Sequence, residues 1–255
     1  TLDGGSNADV LYGGQGDDRY VVDDAGDQVV ELASEGYDSV VSTASFVLPD
    51  FVEDLTLAGS ANLDATGNTA DNHLAGNAGD NTLSGGSGND VLDGAAGNDV
   101  LFGGVGNERY VFGRGYGQDV IVENGAASVA DRLLLGDGVL PSDLLLRRNG
   151  DDLLVSLRDT ADRLTIRNYW QTASTVESIQ FADGTIWGQS QVEAAIAATP
   201  LNTDPSVLAA AADQMADVGQ PFEFSMAGVF GDPDAGDVLV SKVTLANGDP
   251  LPRWL

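Results

Sequence analysis

The sequence predicts an all-β fold built around a solenoid, and three observations support this prediction. Residues 67–111 consist of five consecutive units of nine residues, each of which begins with glycine. The eighth position of every unit is Leu or Tyr, and the sixth is Asp, Asn or Glu. Two more units at residues 4–21 follow the same pattern. Because a short fixed period is typical of stacked coils, we interpret the whole chain around these repeats.

The chain is strongly acidic, with 40 Asp and Glu residues against 11 Lys and Arg and a net charge of −29. Repulsion of this size opposes compaction and argues against nucleic acid or anionic membranes as partners. The longest apolar runs, such as 207–212, are too short to span a bilayer, so we expect no membrane insertion. The acidic side chains form either a solvated surface or cation sites. Their recurrence at one position of the repeat favours cations.

Catalytic chemistry has little support in the sequence. The chain has no cysteine and one histidine, His73, which occupies a variable repeat position where we expect a surface residue. This composition excludes Cys–His catalysis and multi-histidine zinc sites. We therefore predict that this chain is not itself an enzyme and holds neither catalytic residues nor an organic cofactor.

The first half of the chain is predicted to consist of two repeat blocks and a connecting region. Residues 1–30 form the first block, residues 31–66 a strand-rich extension of the roll, and residues 67–111 the second block. Strand-like runs lie at 28–32, 38–48 and 52–58. Because the chain starts within a repeat and ends just after a turn signal, we expect a fragment, truncated at its N-terminus, of a longer protein.

The second half is predicted to be a cap followed by the start of another domain. Residues 112–198 form a strand-rich cap that ends in a helix at 189–198, with Pro200 beyond it. The predicted strands of the cap are 120–123, 132–135, 144–148, 152–157, 163–167, 176–181 and 185–187. A turn at 148–151 joins two of them as a hairpin. Residues 199–205 are a linker, and 206–255 return to strand signals at 221–226 and 238–245.

The repeat pattern G-G-x-G-x-D-x-U-x, in which U is apolar, explains why a cation is expected. Glycine permits positive φ, so six residues can form a tight turn whose carbonyl oxygens lack ladder partners. The acidic side chain at position six adds a carboxylate at the same place. Hard oxygen donors in a flexible loop suit Ca²⁺, which accepts roughly six to eight of them, better than Mg²⁺. The last three residues of each unit form a short strand with U inside.

These units resemble the calcium-binding nonapeptides of the RTX (repeats-in-toxin, haemolysin-type) proteins. The resemblance implies a parallel β-roll in which each Ca²⁺ is held between units n and n+2. One unit provides the carbonyls of positions two and four and its acidic side chain. The other unit provides the carbonyls of positions one and three and its acidic side chain. We therefore expect several bound Ca²⁺ ions.

The resemblance implies a set of metal ligands in each block. In the first block these are Gly5, Asn7, Asp9, Asp18, Asp24 and Asp27. In the second block they are Asn77, Gly79, Asn81, Gly86, Gly88, Asp90, Gly94, Ala96, Asp99, Gly103, Val105 and Glu108. In the first block the first three residues face Asp24 and Asp27, whereas Asp18 pairs with a turn that lacks glycine. In the second block one site joins Gly86, Gly88 and Asp90 to Gly103, Val105 and Glu108. The neighbouring site joins Asn77, Gly79 and Asn81 to Gly94, Ala96 and Asp99.

The implied sites differ in charge. A further site pairs Asn72 with Asp90 through Gly85 and Ser87. Asn72 and Asn81 offer an oxygen without charge, so we expect the sites that they form to be weaker or empty. Calcium binding should therefore centre on Asp90, Asp99 and Glu108.

Two later segments carry further resemblances. Residues 109–187 resemble the domain that often follows such repeats in haemolysin-type proteins, through 109–112 (RYVF), 115–119 (GYGQD), 162–168 (DRLTIRN) and 178–187 (SIQFADGTIW). This resemblance implies a β-rich cap that closes the open end of the roll. Residues 206–255 resemble the start of a cadherin-like, dystroglycan-type Ig domain, through 218–222 (VGQPF), 230–237 (FGDPDAGD) and 245–255 (LANGDPLPRWL). That resemblance implies a partial Ig-like β-sandwich, in which Asp232, Asp234 and Asp237 form either a calcium site or an acidic turn.

The sequence thus predicts a calcium-binding RTX segment of a large secreted or surface-exposed bacterial protein that folds on binding Ca²⁺ outside the cell. The resemblance adds export by a type I secretion system. Two kinds of parent protein remain open. One is an adhesin or biofilm protein, in which the segment contacts neighbouring domains or a surface ligand, and the Ig-like start favours it. The other is a secreted lipase, protease or epimerase for which the segment is a secretion and folding tail.

Overall fold

The computed structural model describes residues 1–123, 130–171 and 176–198, together with the backbone of 206–207 and 230–231. The chain divides into two compact units, residues 1–199 and 200–255. In the second unit the described residues are two short antiparallel strands, Ser206–Val207 and Phe230–Gly231. The predicted strands at 221–226 and 238–245, the acidic turn at 232–237 and most of the Ig-like segment lie outside the described residues.

One sheet of the first unit contains ten strands, and all neighbours in it are parallel except the last pair. In sheet order, the strands are β1 (Leu2–Asp3), β3 (Arg19–Val22), β5 (Ser39–Ser42), β7 (Asp54–Leu57), β9 (His73–Ala75), β11 (Val91–Asp93), β13 (Arg109–Phe112), β15 (Arg132–Leu135), β19 (Ser178–Gln180) and β20 (Ile186–Trp187). Each step along this sheet skips a strand of the sequence until β15. Most of the skipped strands belong to the second sheet.

The second sheet contains eight strands. In sheet order they are β16 (Leu144–Asn149), β17 (Asp152–Leu157), β18 (Arg163–Ile166), β14 (Gln118–Val122), β12 (Val100–Val105), β10 (Thr82–Ser87), β8 (Asp64–Thr66) and β6 (Phe46–Val47). A separate parallel pair consists of β2 (Val10–Tyr12) and β4 (Gln28–Val30). The helix α1 (Gln189–Ala198) follows, as predicted, and no helix among the described residues has the length and apolarity to cross a membrane.

The strand register stacks the apolar position of each repeat on the same position one coil later. Leu92 of β11 pairs with Leu74 on one side and Tyr110 on the other, and Leu83 pairs with Leu101 in the second sheet. These five side chains are at most 1% exposed and belong to one hydrophobic core. Burying each contributes about 1.5–3 kcal/mol. The chain is therefore a parallel β-solenoid of the roll type, as the sequence predicts.

The roll continues beyond the repeats at both of their edges. The run at 38–48, predicted as a single strand-like stretch, is divided between β5 and β6, which lie in different sheets. A turn separates them because the Ser42 hydroxyl donates to the Ala44 carbonyl and accepts from the Ala44 N–H. At the other edge, β15 pairs with β13, so the cap segment extends the same sheet.

Antiparallel strands end both sheets. The predicted hairpin is present as β16 and β17, which pair from Leu144–Leu157 to Asn149–Asp152. In the other sheet β20 pairs antiparallel with β19. Because these strands occupy the last position of each sheet, they cover the parallel edge that stacked coils would otherwise leave open for pairing with another chain.

We predict that truncating a stacked leucine destabilises the calcium-loaded roll. Leu92→Ala should lower the free energy of unfolding by about 2–5 kcal/mol, because it opens a cavity between two coils. Val91→Ala is the matched control, because Val91 precedes Leu92 in the same strand and its side chain is only partly buried. Urea unfolding followed by circular dichroism measures both. Equal losses in the two variants would contradict the assignment of the inward face.

Candidate metal centre

The side chain that precedes each strand of the ten-stranded sheet forms part of a ladder along the roll. From β3 to β19 these residues are Asp18, Asp38, Glu53, Asn72, Asp90, Glu108, Asp131 and Glu177. The backbone N–H of Asn72 donates to Asp90 Oδ1 at 2.7 Å, across 18 residues. The N–H of Glu108 donates to Asp131 Oδ1 at 2.7 Å, and that of Asp131 to Glu177 Oε2 at 2.6 Å. Most carboxylates of the ladder thus tie their own coil to the one before it.

A second ladder lies at the starts of strands of the eight-stranded sheet. The backbone N–H of Asn81 donates to Asp99 Oδ1 at 2.7 Å, and that of Asp99 donates to Asp119 Oδ1 at 2.9 Å. All three side chains are buried. Because consecutive repeats supply the two sheets alternately, position-six residues fall on the two ladders in turn.

Several carboxylate oxygens of the ladders have no hydrogen-bond partner although they are buried. Asp90 and Asp99 are 0% exposed, and each uses Oδ1 as an acceptor while Oδ2 has no partner. Glu108 is equally buried, and neither of its side-chain oxygens has a partner. Leaving a buried carboxylate uncompensated costs on the order of several kcal/mol. The donor set therefore fits a hard divalent cation, which satisfies carboxylate oxygens that the protein itself does not.

The first glycine of a repeat lies against this unpartnered oxygen. A Cβ built on Gly85 would lie 2.5 Å from both Asp90 Oδ2 and the carbonyl oxygen of Gly103. A Cβ built on Gly94 would lie 2.5 Å from Asp99 Oδ2. A carboxylate oxygen and a carbonyl oxygen thus converge at a point that only glycine leaves free.

The structure places the predicted ligands of the second block along adjoining turns. Gly86 and Gly88 adopt φ values of +102° and +126°, as the tight turn requires. Gly86 pairs with Gly104 in the register of β10 and β12. The carbonyl of Val105 accepts the Gly88 N–H at 2.9 Å, which leaves its second lone pair for a cation.

The predicted first-block ligands fall into two groups. Asp9 and Asp27 are together, because the Asp9 N–H donates to Asp27 Oδ1 at 3.0 Å. Gly5 and Asn7 adopt φ values of +75° and +91° in the preceding turn. Asp24 instead caps its own turn, where its Oδ1 accepts the N–H of Gly26 at 2.8 Å.

Asparagines supply hydrogen-bond donors where the aspartates supply charge. Asn77 Nδ2 donates to the carbonyls of Ala58 and Ala61 at 3.2 and 3.0 Å. Asn81 Nδ2 donates to the carbonyl of Leu63, and its Oδ1 accepts the N–H of Asn77 at 2.8 Å. These amides satisfy turn carbonyls without a cation, in contrast to Asp90 and Asp99. This geometry gives a physical reason why we expect weaker sites at Asn81 and, by the same pattern, at Asn72.

Sequence reasoning missed several members of the ladders. Asp38, Glu53, Asp119 and Asp131 stand outside the nonapeptide spacing, so the repeat pattern could not find them. The usable signal was simpler: each is an acidic residue next to the start of a strand-like run. Asp18, predicted to meet a turn without glycine, donates its N–H to Asp38 Oδ1 at 2.8 Å.

An outer ladder at position five was also missed. The backbone N–H and side-chain amide of Asn89 donate to Asp71 Oδ1 at 2.7 and 3.1 Å. Asn107 makes the same two bonds to Asn89 Oδ1. Asp80 and Asn98 repeat the arrangement on the other side. Four of these side chains are exposed and Asn107 is half-buried, so the outer ladder aligns the turns at the surface.

Burial shifts the buried carboxyls towards the protonated form. Desolvation raises the pKa of Asp90 and of Asp99 to about 6 from an ordinary value of 3.8. It raises the pKa of Asp119 to about 7. For Glu108, burial together with the charge of Asp131 raises the pKa to about 8. Without a cation the fold therefore favours protons on these groups.

His73 takes no part in the ladders. Its side chain is exposed, and Nδ1 lies 3.5 Å from Asp54 Oδ1. The prediction of a surface histidine is confirmed.

The stacked coils and buried carboxylates define a class of protein, the calcium-binding β-rolls. The family model of the RTX calcium-binding nonapeptide repeat matches residues 1–29, 66–101 and 90–119. The model of the haemolysin-type calcium binding protein related domain matches residues 152–191. The chain therefore carries RTX calcium-binding repeats, and Ca²⁺ is the ion that such repeats bind.

Two curated relatives share part of this chain. The iron-regulated protein FrpA of Neisseria meningitidis serogroup C is 30% identical over 82 residues, which cover 30% of this chain and 7% of FrpA. The endo-1,3-1,4-beta-glycanase ExsH of Rhizobium meliloti is 40% identical over 62 residues, which cover 24% of this chain and 13% of ExsH. The chain thus matches a small part of much longer proteins.

We predict that the buried aspartates dominate calcium affinity. Asp90→Asn with Asp99→Asn should lower the affinity roughly tenfold or more, because an interaction with a charged group contributes about 1.5–3 kcal/mol. Asp71→Asn with Asp80→Asn is the matched control, which removes the same charge from the adjacent exposed positions and keeps the accepting Oδ1. Isothermal titration calorimetry with Ca²⁺ compares them. If the control weakens binding as much as the buried pair does, net charge rather than the ladder governs binding.

We also predict that acid partly replaces calcium. The folded pKa values of Asp90, Asp99 and Asp119 lie above their unfolded values, so the metal-free fold binds more protons than the unfolded chain. Their destabilising effect is present above the folded pKa and is lost as the pH falls through it. The folded fraction in metal-free buffer should therefore rise as the pH falls from about 7 towards about 4. Circular dichroism measures this fraction, and a folded fraction that falls with acid would contradict the assignment.

Proposed function

We propose that this chain is the calcium-dependent β-roll segment of a large secreted or surface-exposed bacterial protein of the adhesin or biofilm type, without catalytic activity of its own. The observation that carries this proposal is the stacking of carboxylates one coil apart in two ladders, where buried oxygens of Asp90, Asp99 and Glu108 have no partner in the protein. Such ladders are suited to a segment whose folding depends on the ion concentration around it.

The folding mechanism follows from the charge of the chain. Its net charge of −29 and the stacked acids oppose compaction where divalent ions are scarce. Bound Ca²⁺ would supply positive charge and would coordinate the side-chain oxygens of Asp90, Asp99 and Glu108 that have no hydrogen-bond partner. Extracellular calcium modules bind at about 10⁻⁴–10⁻³ M, so folding would be confined to the outside of the cell. An unfolded chain inside the cell is also the form that a type I secretion system would export.

The adhesin role draws on the sequence after the cap. Residues 206–255 resemble the start of a cadherin-like Ig domain, and tandem domains of this kind suit an extended stalk. A roll in which antiparallel strands close one edge of each sheet is well suited to act as a stiff spacer in such a stalk. Its partners would be the neighbouring domains and a surface ligand.

The second candidate is a secretion and folding tail of a secreted enzyme. The 40% identity to part of ExsH favours it, because that relative is named as a glycanase. In this role the same roll would fold after export and help a separate catalytic domain to fold.

Calcium titration tests the shared part of both candidates. We predict that the purified chain gains β circular dichroism as Ca²⁺ rises through about 10⁻⁴–10⁻³ M, because ligation cancels the repulsion between coils. Mg²⁺ at the same concentration is the control and should act weakly. A metal-free chain that is already fully folded at neutral pH and does not respond to Ca²⁺ would contradict the proposal.

Deleting residues 1–198 from the parent protein in its own host separates the two candidates. The adhesin role predicts a loss of surface attachment while extracellular hydrolase activity is unchanged. Loss of a secreted hydrolase activity with attachment intact would overturn the adhesin role and support the enzyme tail.

A further inference from the structure

Both repeat blocks end in the same arrangement, in which tyrosine replaces leucine at the apolar position. Tyr20 and Tyr110 close the last units of the two blocks, and both side chains are 0% exposed. The Tyr20 hydroxyl donates to Glu31 Oε1, and the Tyr110 hydroxyl donates to Glu123 Oε1. Glu31 directly follows β4, and Glu123 directly follows β14. Each of these strands is the one after the strand that contains the tyrosine, although β2 and β4 form their own sheet.

Each of these glutamates belongs to a group of three carboxylates. The second-block triad consists of Glu108, Glu123 and Asp131, and the first-block triad of Asp18, Glu31 and Asp38. In each triad one oxygen of every carboxylate lies within 4.8 Å of the others. Glu108 and Asp131 are 0% exposed and Glu123 is 9% exposed. Three like charges at this distance in a buried place need a counter-charge.

Unpartnered oxygens point to a ligand within the triads. In the second-block triad neither oxygen of Glu108 has a hydrogen-bond partner. In the first-block triad the same holds for Glu31 Oε2 and Asp38 Oδ2, whose residues are 6% and 1% exposed. These orphaned atoms are an observation independent of the number of acidic residues, because a buried oxygen without a donor itself calls for a partner.

We propose that each triad is a calcium site that terminates its repeat block and is built from side-chain carboxylates, with the tyrosine as its positioning residue. An ordinary repeat site takes carbonyl oxygens from the glycine turn two units later. The coil after each block lacks that G-G-x-G turn, and a glutamate carboxylate stands in its place. The site therefore fastens the last repeat to the first coil that has no repeat.

The tyrosine has a geometric role that leucine cannot fill. A Cβ built on Gly103 would meet the Tyr110 hydroxyl and the carboxylate of Glu123, and a Cβ built on Gly13 would meet the Tyr20 hydroxyl and Glu31. The hydroxyl thus reaches out of the core to the glycine that opens its own unit. By donating to one oxygen of the glutamate it fixes the direction of the other oxygen towards the triad.

The ligand chemistry follows from the donors. Three hard carboxylate oxygens without a nitrogen or sulfur donor favour Ca²⁺ over transition metals. The amino group of Thr1 lies 3.9 Å from Asp18 Oδ1 in the first-block triad. The second-block triad is therefore the cleaner site to test.

Calorimetry on the whole chain tests the second-block triad. Glu123→Gln with Asp131→Asn should bind one Ca²⁺ fewer per chain than the wild type. The control is Asp137→Asn with Asp159→Asn, which neutralises two exposed acids of the same region and should keep the full number. A number of bound ions equal to that of the control would overturn the proposal.

Terbium luminescence keeps the test decisive if the double variant does not fold. Tb³⁺ replaces Ca²⁺ and emits when a tyrosine close to it is excited. Tyr110→Phe, which retains all three carboxylates, should lower the tyrosine-excited emission, whereas Tyr12→Phe, at an exposed position, should leave it unchanged. Equal emission in the two variants would refute the site.

The same probe separates this proposal from calcium binding by the repeats. Asp90→Asn with Asp99→Asn weakens the ordinary repeat sites and leaves both triads intact. Under the proposal, tyrosine-excited Tb³⁺ emission persists in that variant. If it disappears there while Tyr110→Phe has no effect, the ions lie in the repeats and the triads are not sites.

Discussion

The structure depends on the repulsion between carboxylates that stack one coil apart. A β-roll can bury its leucines only if successive turns lie on one another, and this stacking brings the acidic side chains of positions five and six into rows. The exposed row at position five is relieved by water and by asparagine amides. The row at position six is buried, and Asp90 Oδ2 and Asp99 Oδ2 have no protein donor. We therefore expect hydrophobic stacking and calcium binding to be coupled.

The ladders also explain why the array is graded along its length. At its start, Asn77 and Asn81 satisfy turn carbonyls through their own amides, so these coils carry little uncompensated charge. Charge then accumulates from Asp90 to Glu108 and ends at a triad that a tyrosine orients. The first block, which contains Asp9 and Asp27, also has a tyrosine, Tyr20, beside a triad. Each block thus passes from repeat to ordinary strand at a group of carboxylates.

The sequence predicted the roll and much of its site because both follow from a strict period. The glycine turns and the apolar eighth position define the units, and two units form one coil. Leu83 therefore pairs with Leu101, the same position one coil later. The period could not reveal Asp38, Asp119 or Asp131, since loops of unequal length bring them into the ladders. Glu123 was hidden for another reason, because its place is set by the hydroxyl of Tyr110. A tyrosine in a leucine position was the signal for it.

Anomalous diffraction from crystals grown with Ca²⁺ shows most directly whether the buried carboxylates hold calcium. We expect calcium peaks beside Asp90 Oδ2, Asp99 Oδ2 and Glu108, and weak or no peaks beside Asn77 and Asn81. Peaks confined to exposed acids such as Asp71 and Asp80, with the buried oxygens contacted by water alone, would contradict this expectation.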